Sequence, residues 1–420
     1  MHASSVRIFL GILLSLTVAG CGGGGGGGLS THLTAGGTAV VVTFTGSTPT
    51  AAATQIGTSA FAAAAIQGGK VNIFVPTGTT KYSVAYVCPP YPGLGNMVTA
   101  EYVIQASIQD GTAYTVSCFG APTTGTATGT ANATAIAGSA NILIRGNMGY
   151  GGSVGSNNGA FSATMVTGTN DVAAIAVDSN AQPNVLAVQI LRNQTVPGAI
   201  NGGNTITFGA GDATTPQTLT VNNVPAGFVS PPAVAVQYVT ANGTTILLDG
   251  NNATQYPAVA AADTQTGDYY SYEANSANGN SAVGVTQTTS TGGGAATISL
   301  PASWSYTGPT AAAFPTFTFT YSGFSGLAAV AQQGEIEWAP TPATLTTITV
   351  TATANYQSGA TTIAMPNLTA LTGFSGSATS GTNIFWVAAV YGGTVPAYTF
   401  PLPANATLSF VQNRGNYTEP

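Results

Sequence analysis

Long stretches of this chain alternate between apolar and polar residues with a period of two, and no other feature restricts its fold as much. Phe317, Phe319 and Tyr321 fall on one side of an extended backbone, and Thr316, Thr318 and Thr320 on the other. Phe161, Ala163 and Met165 alternate with Ser162 and Thr164 in the same way, as Ile348 and Val350 do with Thr347, Thr349 and Thr351. Successive side chains on a strand point to opposite faces, so the pattern predicts half-buried strands. Helix signals are scarce; the alanine-rich residues 59–67 suggest one short helix. The expected fold is all-β, a tandem of β-sandwich domains of immunoglobulin-like or transthyretin-like type.

Breaks in composition divide the chain. Residues 121–134 are rich in Thr, Gly and Ala, residues 209–216 interrupt a strand pattern, and residues 292–294 are three glycines. The expected units are a signal peptide at 1–20, a tether at 21–32, sandwiches at 33–122 and 123–210, a β-rich domain at 211–292 and a sandwich at 293–420. Two hairpins can be read with their register. A loop at Gln109-Asp110-Gly111 would pair Ile108 with Thr112, Ala106 with Tyr114 and Ile104 with Val116, putting the large apolar side chains on one face. A loop at Ala241-Asn242-Gly243 would pair Tyr238 with Ile246 and Val236 with Leu248.

The N-terminus has the parts of a secretory signal. Arg7 and the free amine are positive, residues 8–18 are mostly apolar, and Ala19 and Gly20 are small. The apolar run is too short to span a bilayer, which takes about 20 residues. Val18-Ala19-Gly20-Cys21 resembles the lipobox of bacterial lipoproteins. The resemblance implies a diacylglycerol on the Cys21 sulfur, cleavage before Cys21, acylation of the new amine, and a membrane as partner through that anchor. Residues 22–28 are all glycine, a flexible spacer. Gly22 stands where an aspartate would resemble an inner-membrane retention signal, which leans toward the outer membrane or cell surface.

Export bears on the cysteines. Cys88 shares strand parity with Tyr82, Val84 and Tyr86, and Cys118 shares it with Tyr114 and Val116. Two thiols in an oxidising space, both in phase with core residues, are expected to form a disulfide. Charged residues are only 4% of the chain. With Arg7 removed, the basic residues are Lys70, Lys81, Arg145, Arg192 and Arg414, against 12 acids. No basic patch can be built from them, so a nucleic-acid partner is not expected. So few ion pairs also predict a stability nearly level from about pH 7 to pH 3, with Glu335 and Glu337 the pair best placed to disturb it.

The middle segment has a cadence of its own: Gly138-Ser139-Ala140-Asn141-Ile142-Leu143-Ile144, then Asn158-Gly159-Ala160-Phe161-Ser162, Gly168-Thr169-Asn170-Asp171-Val172 and Ala174-Ile175-Ala176-Val177. It resembles the carboxypeptidase regulatory-like domain, which implies a small transthyretin-type sandwich with no catalytic role.

Catalytic chemistry finds little material. Gly151-Gly152-Ser153-Val154-Gly155 matches a nucleophile elbow, but no histidine lies beyond His32. Zinc lacks ligands, and no cofactor or metal is expected. Asp263, Asp268 and Glu273, or Asp249 with Asn251 and Asn252, are weak calcium candidates. Glu335 and Glu337 share a strand face beside Trp338; the pair suits a glycosidase or a solvated surface. Tyr270 and Tyr272, beside Tyr269, and Trp304 with Tyr306 suit either a sugar platform or a core. The expected function is a non-enzymatic, surface-anchored lipoprotein acting as a structural, adhesive or binding module, with a polysaccharide or protein partner. The alternative is a carbohydrate-binding or carbohydrate-active protein using carboxylates and exposed aromatics. A transmembrane β-barrel fits the strands but not the lipid anchor.

Overall fold

The computed structural model describes residues 36–92, 96–118, 123–147, 149–250, 254–290, 293–397 and 402–420. Nearly every regular element in them is a strand, so the chain is all-β with sandwich-like layers. Among the described residues no helix is long and apolar enough to cross a membrane. Cys21, the residues before it and the glycine run lie outside the described residues. Residues 59–67 do not form the expected helix. Ala62–Ala63 instead pairs with Ala53 and Thr54 as a short edge strand, because a stretch that short gains too little from alanine's helix preference.

The first layers come from residues 37–118. Gly37–Gly46 pairs antiparallel with Lys70–Pro76 and parallel with Ala113–Cys118. This sheet faces the strands Ala51–Ile56, Lys81–Val87 and Met97–Ser107, and the two close on Val42, Ile73, Tyr82, Val84, Ile104 and Val116. Cys88 and Cys118 sit at strand ends in the two facing layers and are joined by a disulfide, their Cα atoms 5.4 Å apart.

The hairpin expected around Gln109-Asp110-Gly111 is not there. Residues 108–110 form a 3₁₀ turn. Ser107 caps it by accepting the Gln109 amide, and Asp110 accepts the Ser107 amide. The chain then crosses to the opposite sheet, where Ala113–Cys118 pairs with Gly37–Gly46. Tyr114 and Val116 do share a core with Ile104 and Ala106, but across the sandwich rather than side by side. Strand parity reports the shared core and cannot tell the two arrangements apart.

Residues 124–207 build two further layers. Thr124–Asn132 pairs with Asn158–Val166, Gly198–Ala199 and Ile206–Thr207. Facing it are Gly151–Ser153, Asn141–Arg145, Gly168–Val177 and Val185–Val196, in that order. Ala127, Phe161, Met165, Ile144 and Phe208 fill the space between them. The other side of Gly168–Val177 sends Ala173, Ile175 and Val177 into the largest core.

That core lines one face of a 13-stranded sheet. From one edge run Thr245–Asp249, Ala233–Val239, Tyr269–Asn278, Ser281–Thr289, Thr407–Thr418, Asn383–Gly393, Ala328–Thr341 and Thr344–Thr353. The last pairs in parallel with Met97–Ser107, with Thr349 opposite Tyr102. Strands from before residue 122 and after residue 233 therefore share one hydrogen-bonded sheet. Its core face buries Tyr238, Tyr272, Ile336, Trp338, Val350 and Trp386. Thr215–Asn222, with its partners Gln255–Ala258 and Ala296–Ser299, and the pair Thr316–Thr318 and Thr362–Ala364 also contribute to that core.

The hairpin near Asn242 is present, and Tyr238 opposes Ile246 as expected. Val236 opposes Asp249 rather than Leu248, because the register shifts by one residue between Val236 and Gln237. Such a bulge leaves no mark in an alternation read from one strand alone.

Candidate functional site

The opposite face of the large sheet is covered unevenly. Over Ala51–Ile56, Lys81–Val87 and Met97–Ser107 its side chains enter the first sandwich core. From Thr344–Thr353 onward, the same face contributes no side chain to any of the three buried cores among the described residues. An antiparallel sheet can keep one face wet in this way. Eight strands at roughly 4.8 Å spacing make this open face about 35 Å wide. Many of its side chains are half-buried, while Val239, Tyr269, Ser271, Thr286, Thr288 and Ala389 on the same face are buried outright.

The open face is not uniform. Next to the first sandwich, Gln333, Glu335 and Glu337 rise in a row from Ala328–Thr341. Register places Thr349 and then Tyr102 beside Glu335 on one side, and Val387 on the other. Thr349 donates to Glu335 Oε2 at 3.0 Å. Tyr391, from Asn383–Gly393, donates its hydroxyl to Gln333 Oε1 at 2.9 Å. Its ring stands 6.5 Å from Phe410. On the far side, Tyr102 stacks on Tyr86 at 5.2 Å, and Tyr91 comes close enough for the charges of Glu335 and Glu337 to raise its hydroxyl pKa.

This place lies at a step, where the first sandwich stands over Met97–Ser107 and the neighbouring strands Thr344–Thr353 and Ala328–Thr341 turn the same face away from all three cores. Burial pushes the Glu335 carboxyl up to about 7, against the hydrogen bond from Thr349 and with the Glu337 charge adding to the rise. Burial likewise raises the Tyr391 hydroxyl, and Glu335 raises it further. Yet both residues keep part of their surface accessible to solvent. Glu335 can therefore hold or release a proton near neutral pH.

Of the residues singled out in the sequence, Glu335 and Glu337 are brought together here, with Trp338 buried on the opposite face. The other candidates are not. Tyr269, Tyr270 and Tyr272 are core: Tyr256 and Tyr272 share a hydrogen bond at 2.9 Å, and the Val259 amide donates to the Tyr270 hydroxyl. Trp304 is buried and stacks on half-buried Tyr306 at 5.0 Å. Ser153 ends a three-residue strand, with no helix behind it to form an elbow. Asn251 and Asn252 lie outside the described residues. Among the described residues no group of three or more His, Cys, Asp or Glu could hold a metal ion. Tyr91, Gln333, Tyr391 and Phe410 were not foreseen; their strands are legible, but strand order is what places them beside Glu335.

Asp263 and Asp268 do meet, but around a cation of the protein itself. Arg192 bonds Asp171 at 3.0 Å and grips both oxygens of Asp268, at 3.1 and 2.6 Å. It also donates to the Asp263 carbonyl at 2.7 Å. Tyr238 donates its hydroxyl to Asp268, and the amides of Ala241 and Gln265 do likewise. Asn193 and Asn242 donate to Asp171. Burial alone would raise Asp171, but these hydrogen bonds bring its carboxyl below the usual range. Glu273 is on the open sheet face, away from this group. With Asp171 and Asp268 bonded in this way, the cluster is a joint between the 168–196 hairpin and residues 238–268, and Asp263 Oδ2 at its edge is buried without a hydrogen bond.

Comparison with known proteins adds little. No family model matches the chain, and no curated protein matches it. Among solved structures it is similar to the Bacillus anthracis TIE protein, at 12% identity, over 63% of this chain and 50% of that chain, with a TM-score of 0.16. The match spans about half the length of that protein, and a superposition this loose carries no argument about fold or function.

Proposed function

We propose that the chain is an exported, non-enzymatic binding or adhesive module, anchored by lipid on Cys21 and presenting its β-sandwich layers outside the cell. The observation that carries the binding reading is the recess at the edge of the first sandwich, where partly buried rings, an amide and two acids gather on one sheet face. The disulfide between Cys88 and Cys118 supports export. The lipobox resemblance supports the anchor, since two or three acyl chains hold a protein where one binds only marginally. In this reading residues 123–210 are a layer of the carboxypeptidase regulatory-like kind that packs into the shared core, and the protein faces out from the outer membrane or cell surface.

Mass spectrometry of the N-terminal peptide tests the anchor. The expected result is a peptide starting at Cys21 and carrying acyl mass. A peptide that starts upstream of Cys21, or a Cys21 without acyl mass, sinks it. A second reading, a carbohydrate-active protein, is favoured by one observation: Glu335, poised near neutrality, shares a strand face with Glu337.

A further inference from the structure

We infer that the recess between Tyr91 and Tyr391 binds a neutral polysaccharide chain lying along the strand Ala328–Thr341. The inference rests on the binding-module reading above and adds the class of ligand.

The recess offers two kinds of contact together. Its partly accessible rings are of the size of a sugar's C–H face, and ring stacking of this kind contributes beyond simple burial. Tyr391 is already held at its hydroxyl by Gln333 and at its ring by Phe410, so little side-chain freedom is lost when a ligand stacks on it. Between the rings, Gln333, Glu335 and Glu337 recur about every 7 Å along the pleat, as acceptors for a row of hydroxyl groups. Hydrogen bonds to ionised acceptors are the stronger ones. A carboxyl balanced near neutrality, like Glu335, can also donate.

Charge selects among ligands. The eight open strands carry Glu335, Glu337 and Glu273 on this face, against the single cation Arg414. Nucleic acid, anionic lipid and uronic-acid polymers are repelled. A second copy docked face to face about a two-fold axis through the recess would set Glu335 and Glu337 near their own mates and desolvate like charges. A neutral glycan brings hydroxyl donors to these acids and no charge of its own.

The mature lipoprotein, in detergent micelles, would be incubated with amorphous cellulose, with chitin, and with polygalacturonic acid as the anionic control. Retention on cellulose or chitin but not on the control is expected. Tyr391→Ala should weaken retention about tenfold, Glu337→Gln should weaken it less, and Tyr391→Phe, which keeps the ring, should bind nearly as the parent does. Melting curves of each variant separate lost binding from lost folding. The inference is overturned by no retention of a folded protein on either neutral polymer, by equal retention on the anionic one, or by indifference to Tyr391→Ala. A concentration-dependent dimer abolished by Tyr391→Ala would assign the recess to a second copy and overturn it too. An unlipidated Cys21 would defeat the anchor and leave this result standing, so the two failures can be told apart.

Discussion

Replacing Glu335 by glutamine should stabilise the protein at pH 8 and leave it unchanged at pH 4. The carboxyl ionises near 7 in the folded chain and at 4.5 ordinarily. Its folded value is raised, so the unfolded chain gives up the proton first as pH rises. The penalty is absent below about pH 4, builds between about 4.5 and 7, and is complete by about pH 8. A difference of this size corresponds to about 3 kcal/mol. Glutamine keeps an acceptor for Thr349 but accepts a weaker, uncharged hydrogen bond, so the net gain expected at pH 8 is about 1–3 kcal/mol. The assay is urea unfolding of parent and variant at both pH values, followed by far-ultraviolet circular dichroism. The two curves should separate at pH 8 and coincide at pH 4. A variant equally stable at both pH values relative to the parent, or less stable at pH 8, would show that Glu335 is not desolvated and would remove the case for a recess. Asp263, which burial raises to about 6 against the Ile190 amide, adds in the same direction. The level pH profile expected from counting acids therefore gives way to one that climbs as pH falls from 7 toward 4.

Below about pH 4 the slope should reverse, because Asp171 is held below its usual range and its contribution, present above the ordinary carboxylate value, is lost as it protonates; a melting series down to pH 2 would show the turn. Arg192→Met should cost about 3–5 kcal/mol, since it strands the buried acids Asp171 and Asp268; a loss under 1 kcal/mol in urea unfolding would mean that water reaches the joint. Gly284→Ala should cost about 1–3 kcal/mol, because its Cβ would lie 2.3 Å from the Phe410 ring, and intrinsic fluorescence melts would register it. Cys88→Ser with Cys118→Ser opens a loop of 30 residues, worth about 3–4 kcal/mol in the chain-entropy view; a melting temperature unmoved by the change would count against that.

What was legible in the sequence was local. Alternation marked Phe161, Ala163 and Met165 as inward, and all three are buried. The parity of Cys88 and Cys118 with their neighbours pointed to the bridge that joins them. The pairing of Tyr238 with Ile246 followed from turn chemistry at Asn242-Gly243. What was hidden depends on strand order. Parity is the same whether two strands are neighbours or face each other, so Tyr114 and Ala106 suggested a hairpin that is in fact a crossover. Aromatic residues at strand spacing carry no sign of which face is open: Tyr270 lies in the core and Tyr391 in the recess. Only the parallel pairing of Thr349 with Tyr102, across some 250 residues of chain, brings Glu335 beside the first sandwich.

The scarcity of charge gives its placement weight. In a surface rich in ion pairs, one more exposed carboxylate contributes little. Here seven of the 12 acids fall into two roles. Some fasten segments distant in sequence. Asp110 accepts from Thr353 Oγ1 at 2.6 Å and Asn355 Nδ2 at 2.7 Å, buried Glu101 accepts the Ser375 amide, and Asp171 and Asp268 share Arg192. Others, Glu273, Glu335 and Glu337, stand on the open face. The first group makes satisfied hydrogen bonds that fix which layers meet, a use of polar groups that specifies one arrangement where interchangeable Val, Ala and Thr strands would permit several. Burial raises acids of both groups above their ordinary values, Glu101 in the first and Glu273 and Glu335 in the second, so each carries a cost at neutral pH. Glu101 meets that cost by fastening the distant segment at Ser375, whereas Glu335, bonded to Thr349 on the neighbouring strand, carries it on the open face without joining distant segments. That is the pattern expected of residues held for contact with a ligand, and the Glu335→Gln protein, more stable and less able to bind, would display both sides of it in one molecule.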